Sequence, residues 1–259
     1  MGSAEAGDSQ VAALEAASDM AKNITIEEFG KRVEEALGGR LISLLLYGSA
    51  ARSGGSSGKP RGANTLLICE PVDPSVLAAL EAPTAAWTRN SHPAPIVLSL
   101  REWRTSSDAF AIEYEDIRAA HRLIAGRDPW NGISVRREDV QRQLEQELMG
   151  KLVRLRQAYL AAAGDRRRLT LLVTQSASGF FTMLRTLLRL MGKAVPDDAG
   201  GLLRAAGTAA GFATEALAPV AAHLEGRADL SLGPRDPLAA AYLAAVARTA
   251  EFVNDHPLT

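Results

Sequence analysis

The chain has 259 residues, of which 47% are hydrophobic, and a formal net charge of −1 at neutral pH. This length allows one large domain or two ordinary ones, and the near-neutral charge excludes neither acidic nor basic partners. The single cysteine, Cys69, excludes an intrachain disulfide and a cysteine-based metal cluster, and its apolar surroundings predict a buried, inert thiol.

Residues 1–22 are small, polar and rich in alanine, which predicts a flexible tail with a loosely formed helix over residues 11–20. The first ten residues lack the charged and apolar regions of a secretion signal. No apolar window approaches the ~20 residues needed to span a bilayer. We therefore expect a cytoplasmic protein that has no membrane partner.

After the tail, a predicted helix is followed by a short apolar strand. Thr25 and Glu28 have the spacing of a capping box, and the pair Gly38–Gly39 predicts where that helix ends. The run "RLISLLLY" (residues 40–47) is short and continuously apolar, which is typical of a central strand buried on both faces.

The following segment continues the alternation of strands and helices. A helix over residues 76–80 is predicted, with Asp73 or Ser75 as its cap. The stretch after residue 108 is ambiguous, with helical spacing in its first part. Further strands are predicted at "NTLLIC" (64–69), "PIVLSL" (95–100) and "HRLIAG" (121–126).

The pattern changes near residue 135. Apolar residues recur every three or four positions over residues 136–164 and again over 166–191, which indicates two long amphipathic helices. Long helices joined by short turns predict an antiparallel bundle. Shorter alanine-rich helices are predicted at 199–206, 212–224 and 237–253.

The loop between the first two predicted strands is rich in glycine, serine and basic residues, as in many phosphate sites. A Walker A motif needs four residues between its first Gly and its Gly-Lys pair, followed by Ser or Thr. The run "GSSGKP" from Gly55 is too short, and Pro60 takes the place of the hydroxyl residue. The loop also leads into a strand rather than a helix, so it is not a P-loop.

Just upstream, "LLLYGSAAR" (residues 44–52) resembles the strand-turn signature of the nucleotidyltransferase superfamily, which includes antibiotic-modifying and minimal nucleotidyltransferases. In that family a strand ends in Gly-Ser, a small residue and often Arg follow, and the next strand opens with Asp-x-Asp. The resemblance implies that Gly48, Ser49 and Arg52 bind the phosphates of a nucleotide. Asn64 stands at the first Asp position and belongs to the same predicted site.

A second segment, "FAIEYEDIRAAHRLIAGRDP" (residues 110–129), is similar to a stretch of bacterial nucleotidyltransferase-like proteins. The resemblance implies an α+β fold with two domains after the tail. A nucleotidyltransferase-like mixed-sheet domain is predicted over residues 23–135, and an all-α helical bundle over residues 136–259.

Both family carboxylates are absent, because Asn64 and Leu66 occupy the two Asp positions. Side chains at positions i and i+2 of a strand share a face, so two Asp residues there can hold magnesium beside a triphosphate. Magnesium requires hard oxygen ligands in octahedral geometry. Asn64 offers one neutral oxygen and Leu66 none, which predicts no metal site, no catalytic residue and no cofactor.

The sequence therefore predicts a pseudoenzyme that binds a nucleotide or phosphate, or acts as a regulatory module. A first alternative is an active nucleotidyltransferase that transfers a nucleoside monophosphate to a small molecule or protein, with magnesium held by Glu113 or Asp116. A second alternative is a ligand-free structural protein that interacts with a protein partner or forms a homodimer.

Three other features of the sequence bear on function. His92, His121, His223 and His256 are scattered, which indicates structural or surface roles. Residues 136–193 carry a local charge of +7, interpreted as solvated helix faces or as a basic wall for a phosphate-rich ligand. The aromatic residues of this segment do not alternate with the charges in a pattern that would support base stacking, which argues against nucleic-acid binding. The polar segment 174–178 within the second long helix is interpreted as a packing seam rather than a ligand wall.

Overall fold

The computed structural model describes residues 24–52, 62–256 and 258. The predicted tail, the helix over residues 11–20 and the loop from Gly55 to Pro60 lie outside these residues. The chain divides into two compact units that alternate along the sequence. The described part of the first unit comprises residues 24–47, 62–101 and 122–129; that of the second comprises 48–52, 102–121, 130–256 and 258. The predicted domain boundary near residue 135 stays a prediction.

The first unit begins with helix α1, and its predicted capping box is confirmed. The Oγ1 atom of Thr25 accepts a hydrogen bond from the Glu28 amide at 3.1 Å, and the Thr25 amide donates to the Glu28 carboxylate at 3.4 Å. Helix α1 covers Ile26–Leu37 and is followed by a 3₁₀ turn, Gly38–Arg40.

The four predicted strands are confirmed and form one mixed sheet in the order β3-β2-β1-β4. Strand β1 pairs antiparallel with β2, and β2 pairs parallel with β3. Residues 43–46 of β1 and 65–69 of β2 are all buried, as expected of strands that are covered on both faces. The strands are β1 Leu41–Tyr47, β2 Asn64–Cys69, β3 Ile96–Ser99 and β4 His121–Gly126.

Helix α3 (Pro74–Thr88) is ten residues longer than the predicted helix over 76–80. Asp73 is its cap and accepts from the Val76 amide at 3.0 Å. The helix continues through Pro83 because its buried positions lie on one face, so that packing outweighs the hydrogen bond lost at proline. On that face, Trp87 stacks against Phe29 of α1, with ring centroids 4.7 Å apart.

The second unit contains the remaining helices and has its own apolar core, to which the two long helices contribute most. Their predicted extents agree with the structure to within two residues. The helices in chain order are α2 Ser49–Arg52, α4 Leu100–Thr105 (which begins in the first unit), α5 Ala111–Ala119, α6 Arg137–Ala162, α7 Arg166–Leu190, α8 Ala199–Ala210, α9 Ala218–Leu224 and α10 Pro237–Asp255.

The segment predicted as one helix over 212–224 is a 3₁₀ turn, Glu215–Leu217, followed by α9. Pro219 explains the break, since proline is favoured in the first turn of a helix but cannot continue one from before it. In the part of the chain that the structure describes, none of the helices is long and apolar enough to cross a lipid bilayer.

Close packing at the end of β4 yields a stability prediction. Gly126 has a φ of +80°, and a Cβ atom there would lie 2.3 Å from the Ile42 carbonyl oxygen. Gly126→Ala should therefore cost about 1–2 kcal/mol of left-handed strain and a further ~1–3 kcal/mol of overpacking, measured by urea denaturation. Gly132 has a φ of +78° but nothing within 4 Å, so Gly132→Ala should show the strain alone. Equal losses in the two variants would contradict the close contact.

Candidate functional site

The Gly-Ser turn follows β1 directly and starts helix α2. Gly48 has a φ of +78°, a conformation that glycine adopts without strain. Its amide donates to the Ala120 carbonyl at 3.0 Å, and its own carbonyl accepts from the amides of Ala51 and Arg52 at 3.1 and 3.2 Å. These bonds close one helical turn, so Gly48, Ser49 and Arg52 lie together in the second unit.

Asn64, the fourth predicted site residue, is the first residue of β2 in the first unit and is paired with Tyr47. Its side chain is half-buried, whereas Leu66 is only 1% exposed and belongs to the apolar core of that unit. The face on which the family places two carboxylates thus carries one amide oxygen and an aliphatic side chain. This set of donors does not fit magnesium.

Two other carboxylates accept hydrogen bonds from neighbouring groups. Glu70, at the end of β2, accepts a hydrogen bond from the Leu100 amide at 3.2 Å. Glu113, in α5, accepts from Gln143 Nε2 at 2.8 Å. Within residues 24–52, 62–256 and 258, no three His, Cys, Asp or Glu side chains come close enough to hold a metal ion.

Asp116 of α5 is a buried carboxylate that contacts two arginines. Its Oδ1 atom lies 3.5 Å from Nη1 of Arg52 and 3.3 Å from Nη2 of Arg189. The side chains of the three residues are only 12–22% exposed. The predicted phosphate ligand Arg52 is therefore held in place by an ion pair to α5, and the same carboxylate binds α7 through Arg189.

A third arginine, Arg185, lies one helical turn before Arg189 on α7. Burial, followed by repulsion from Arg52, lowers the pKa of Arg185 to about 10, and attraction to Asp116 acts in the opposite direction. Arg185 Nε and Arg189 Nη1 are both buried and have no hydrogen-bond partner among the described residues. Arg52, Arg185, Arg189 and Asp116 are called the arginine cluster below.

Arg185 and Arg189 are among the basic residues of 136–193, and the local charge of that segment does not distinguish them from residues on solvated faces. Nine of those twelve basic side chains are exposed, as solvated faces require; Lys151, Arg185 and Arg189 are partly buried. The signal that could have distinguished them is the run "FTMLRTLLRL", in which two arginines four residues apart interrupt an otherwise apolar stretch.

The polar segment of α7 is a packing seam, as predicted. Ser176 donates a hydrogen bond to the hydroxyl of Tyr242 in α10 at 2.8 Å, and Lys151 of α6 donates to the Ser176 carbonyl at 3.3 Å. Thr174 donates to the Thr170 carbonyl within α7. Burial raises the pKa of Tyr242, so its hydroxyl stays protonated at physiological pH.

The four histidines have the structural or surface contacts that their scatter predicts. Nδ1 of His92 accepts from the Ala63 amide, and burial lowers the pKa of His92. His121 bonds the Ile117 carbonyl through Nδ1 and accepts from Trp130 Nε1 at 3.1 Å. His223 accepts from the Leu230 amide, and His256 stacks on Phe252. Cys69 is a buried free cysteine.

Comparison with known proteins decides the class of fold. No protein-family model matches the chain, and no curated protein matches it at a significant level. Among solved structures, the chain resembles spectinomycin adenyltransferase AAD(9) from Enterococcus faecialis, whose crystal structure contains ATP and spectinomycin. The likeness covers 86% of this chain and 98% of that chain, with a TM-score of 0.53 and 13% sequence identity. The chain has a nucleotidyltransferase-type fold.

This nucleotidyltransferase-type fold confirms the α+β class and, at the level of fold alone, the resemblance seen at the Gly-Ser turn. At 13% identity, the likeness concerns the fold alone. The ligands that this chain can bind therefore depend on its own side chains. These form the positively charged arginine cluster and supply no pair of acidic residues at the start of β2.

The ion pairs of Asp116 yield a second stability prediction. Asp116→Asn keeps the shape of the side chain but removes the negative charge from between Arg52 and Arg189. The free energy of unfolding should fall by about 3 kcal/mol, because partly buried guanidinium groups lose their counter-charge. Urea denaturation measures the change.

Glu113→Gln is the matched control, since it removes a carboxylate from the same helix at an exposed position. Its effect should stay within about 0.5 kcal/mol. A loss in Asp116→Asn no larger than in this control would mean that the arginine cluster does not depend on Asp116.

Proposed function

We propose that this nucleotidyltransferase-like protein does not perform metal-dependent transfer and instead serves in the cytoplasm as a nucleotide- or phosphate-binding regulatory module. The observation that carries the proposal is the neutral face at the start of β2, where Asn64 and the buried Leu66 replace a pair of carboxylates. Nucleotidyl transfer depends largely on positioning and on charge stabilisation by metal. This face of β2 has no carboxylate that could hold the metal ion.

The surroundings of the candidate replacement carboxylates support the same proposal. An active enzyme with relocated ligands would need Glu113 or Asp116 to bind magnesium. Glu113 is hydrogen-bonded to Gln143, and Asp116 is already paired with Arg52 and Arg189. A divalent cation would be repelled by the arginines that surround Asp116, so this carboxylate is a poor magnesium ligand.

Two observations support nucleotide or phosphate binding over a ligand-free scaffold. The segment that starts at Gly48 and Ser49 forms one helical turn, and this turn places Arg52 beside Asp116. The solved structure with a similar fold contains ATP, which makes a nucleotide the first ligand to test on this chain. The predictions of a protein partner or a homodimer stay predictions.

Calorimetry with ATP tests the proposed function directly. ATP should bind the full chain in the presence of EDTA. Excess magnesium should change the affinity for ATP by less than about threefold, because Asn64 and Leu66 supply no acidic ligand for the metal. Incubation with labelled ATP should transfer no nucleoside monophosphate to protein or to spectinomycin. Binding that requires magnesium, or transfer of label, would overturn the proposal, and absence of any binding would favour the structural alternative.

Restoring one acidic ligand provides a further prediction. Asn64→Asp should weaken ATP binding in EDTA by roughly fivefold, equivalent to about 1 kcal/mol of charge repulsion, and magnesium should recover the loss. Calorimetry in both conditions measures the difference. Leu66→Asp is unsuitable as a companion change, since Leu66 is 1% exposed and a buried carboxylate would destabilise the first unit. Asn64→Leu, which adds no charge, should not gain a magnesium response.

A further inference from the structure

The arginine cluster holds more positive charge than its carboxylate neutralises. Arg52, Arg185 and Arg189 contribute three cations, and Asp116 contacts two of them through a single oxygen atom. Arg185 and Arg189 are four residues apart on α7, so they share a helix face, where like charges repel. Asp197 also attracts Arg185 but is exposed. The cluster proper carries an excess of two positive charges.

Two donors of the cluster have no acceptor in the described residues. Arg185 Nε and Arg189 Nη1 are removed from water and make no hydrogen bond. A buried charged donor without an acceptor costs free energy, and proteins usually satisfy such groups. Arginine rather than lysine is favoured where a planar fork of donors must match the oxygens of an anion.

The cations remain charged and accessible under physiological conditions. Although burial lowers the pKa of Arg185 to about 10, its guanidinium is still protonated at neutral pH. The side chains of Arg52 and Arg189 are 15% and 22% exposed, so part of each guanidinium-bearing side chain still faces solvent.

We propose that Arg52, Arg185 and Arg189 form a binding site for a phosphoryl group that needs no divalent cation. A phosphate dianion carries the two negative charges that the cluster lacks. Its three free oxygens can accept from several guanidinium donors at once, whereas the carboxylate of Asp116 leaves two donors unpaired. Asp116 acts as a positioning residue that holds Arg52 and Arg189 on either side of one carboxylate oxygen.

The phosphoryl group can belong to a nucleotide or to a free phosphate, and the site recognises the chemistry that both share. Because Arg52 is also part of the proposed nucleotide site, the inference rests on the proposed function for the nucleotide case. It adds Arg185 and Arg189, which the resemblance does not supply, and it assigns to guanidinium groups the positive charge that a metal would otherwise bring.

The experiment compares inorganic phosphate, ATP and adenosine as ligands of the full chain. Binding is measured by calorimetry in EDTA at constant ionic strength, with melting temperature as a second readout. Phosphate and ATP should bind and raise the melting temperature, and adenosine should do neither. In Arg185→Met, the affinity for phosphate should fall by at least about tenfold, as expected for loss of charged hydrogen bonds.

Two variants serve as controls. Arg167→Met removes the same charge from an exposed position of the same helix and should change phosphate affinity by less than about twofold. Arg185→Lys keeps the charge but loses the fork, so its affinity should lie between those of the original chain and Arg185→Met. Arg185→Met should remain folded without ligand, since it removes a buried cation rather than a paired one.

Each outcome separates this inference from the proposed function. If ATP binds but neither ATP nor phosphate responds to Arg185→Met more than to Arg167→Met, the arginine site is wrong while nucleotide binding stands. If phosphate binds through Arg185 and ATP does not bind, the arginine site stands and the nucleotide function falls. If Arg185→Met changes the melting temperature but not the affinity for phosphate, Arg185 has only a structural role and the inference is overturned.

Discussion

One oxygen atom connects three helices of the second unit. Oδ1 of Asp116 in α5 contacts Arg52 of α2 and Arg189 of α7, so a single carboxylate balances two guanidinium groups that would otherwise repel each other. The Gly48 amide adds a backbone bond to Ala120, just beyond the end of α5. The conformation of the Gly-Ser turn thus depends on the position of α5.

The distribution of charge is the basis of the proposal that this chain holds a phosphoryl group without a metal ion. A magnesium site brings positive charge only when the ion is bound, and the ion can exchange. Guanidinium groups are permanently charged and fixed to the backbone. Under the proposed function, a site built from them would hold an anion without the Lewis acid that activates a leaving group.

Local signals in the sequence predicted most of the fold and part of the site. The capping box at Thr25, the strands and the long helices depend on neighbours within a few residues, and all are confirmed. Helix α3 extends beyond its predicted range because packing of its buried face, which depends on distant residues, outweighs the local breaking effect of Pro83. The arginine cluster was missed because Arg189 and Asp116 are 73 residues apart, and helical spacing predicts a shared face without predicting what lies opposite it.

The placement of the three tryptophans has a consequence for following this protein in solution. Trp87 lies in the first unit, stacked between Phe29 and His92, whereas Trp103 and Trp130 pack together in the second. Indole emission from the chain is therefore a sum of two regional signals. In a double variant with Trp103→Phe and Trp130→Phe, the remaining fluorescence would come from Trp87 and report the first unit alone. Unfolding of the first unit could then be timed separately from unfolding of the second.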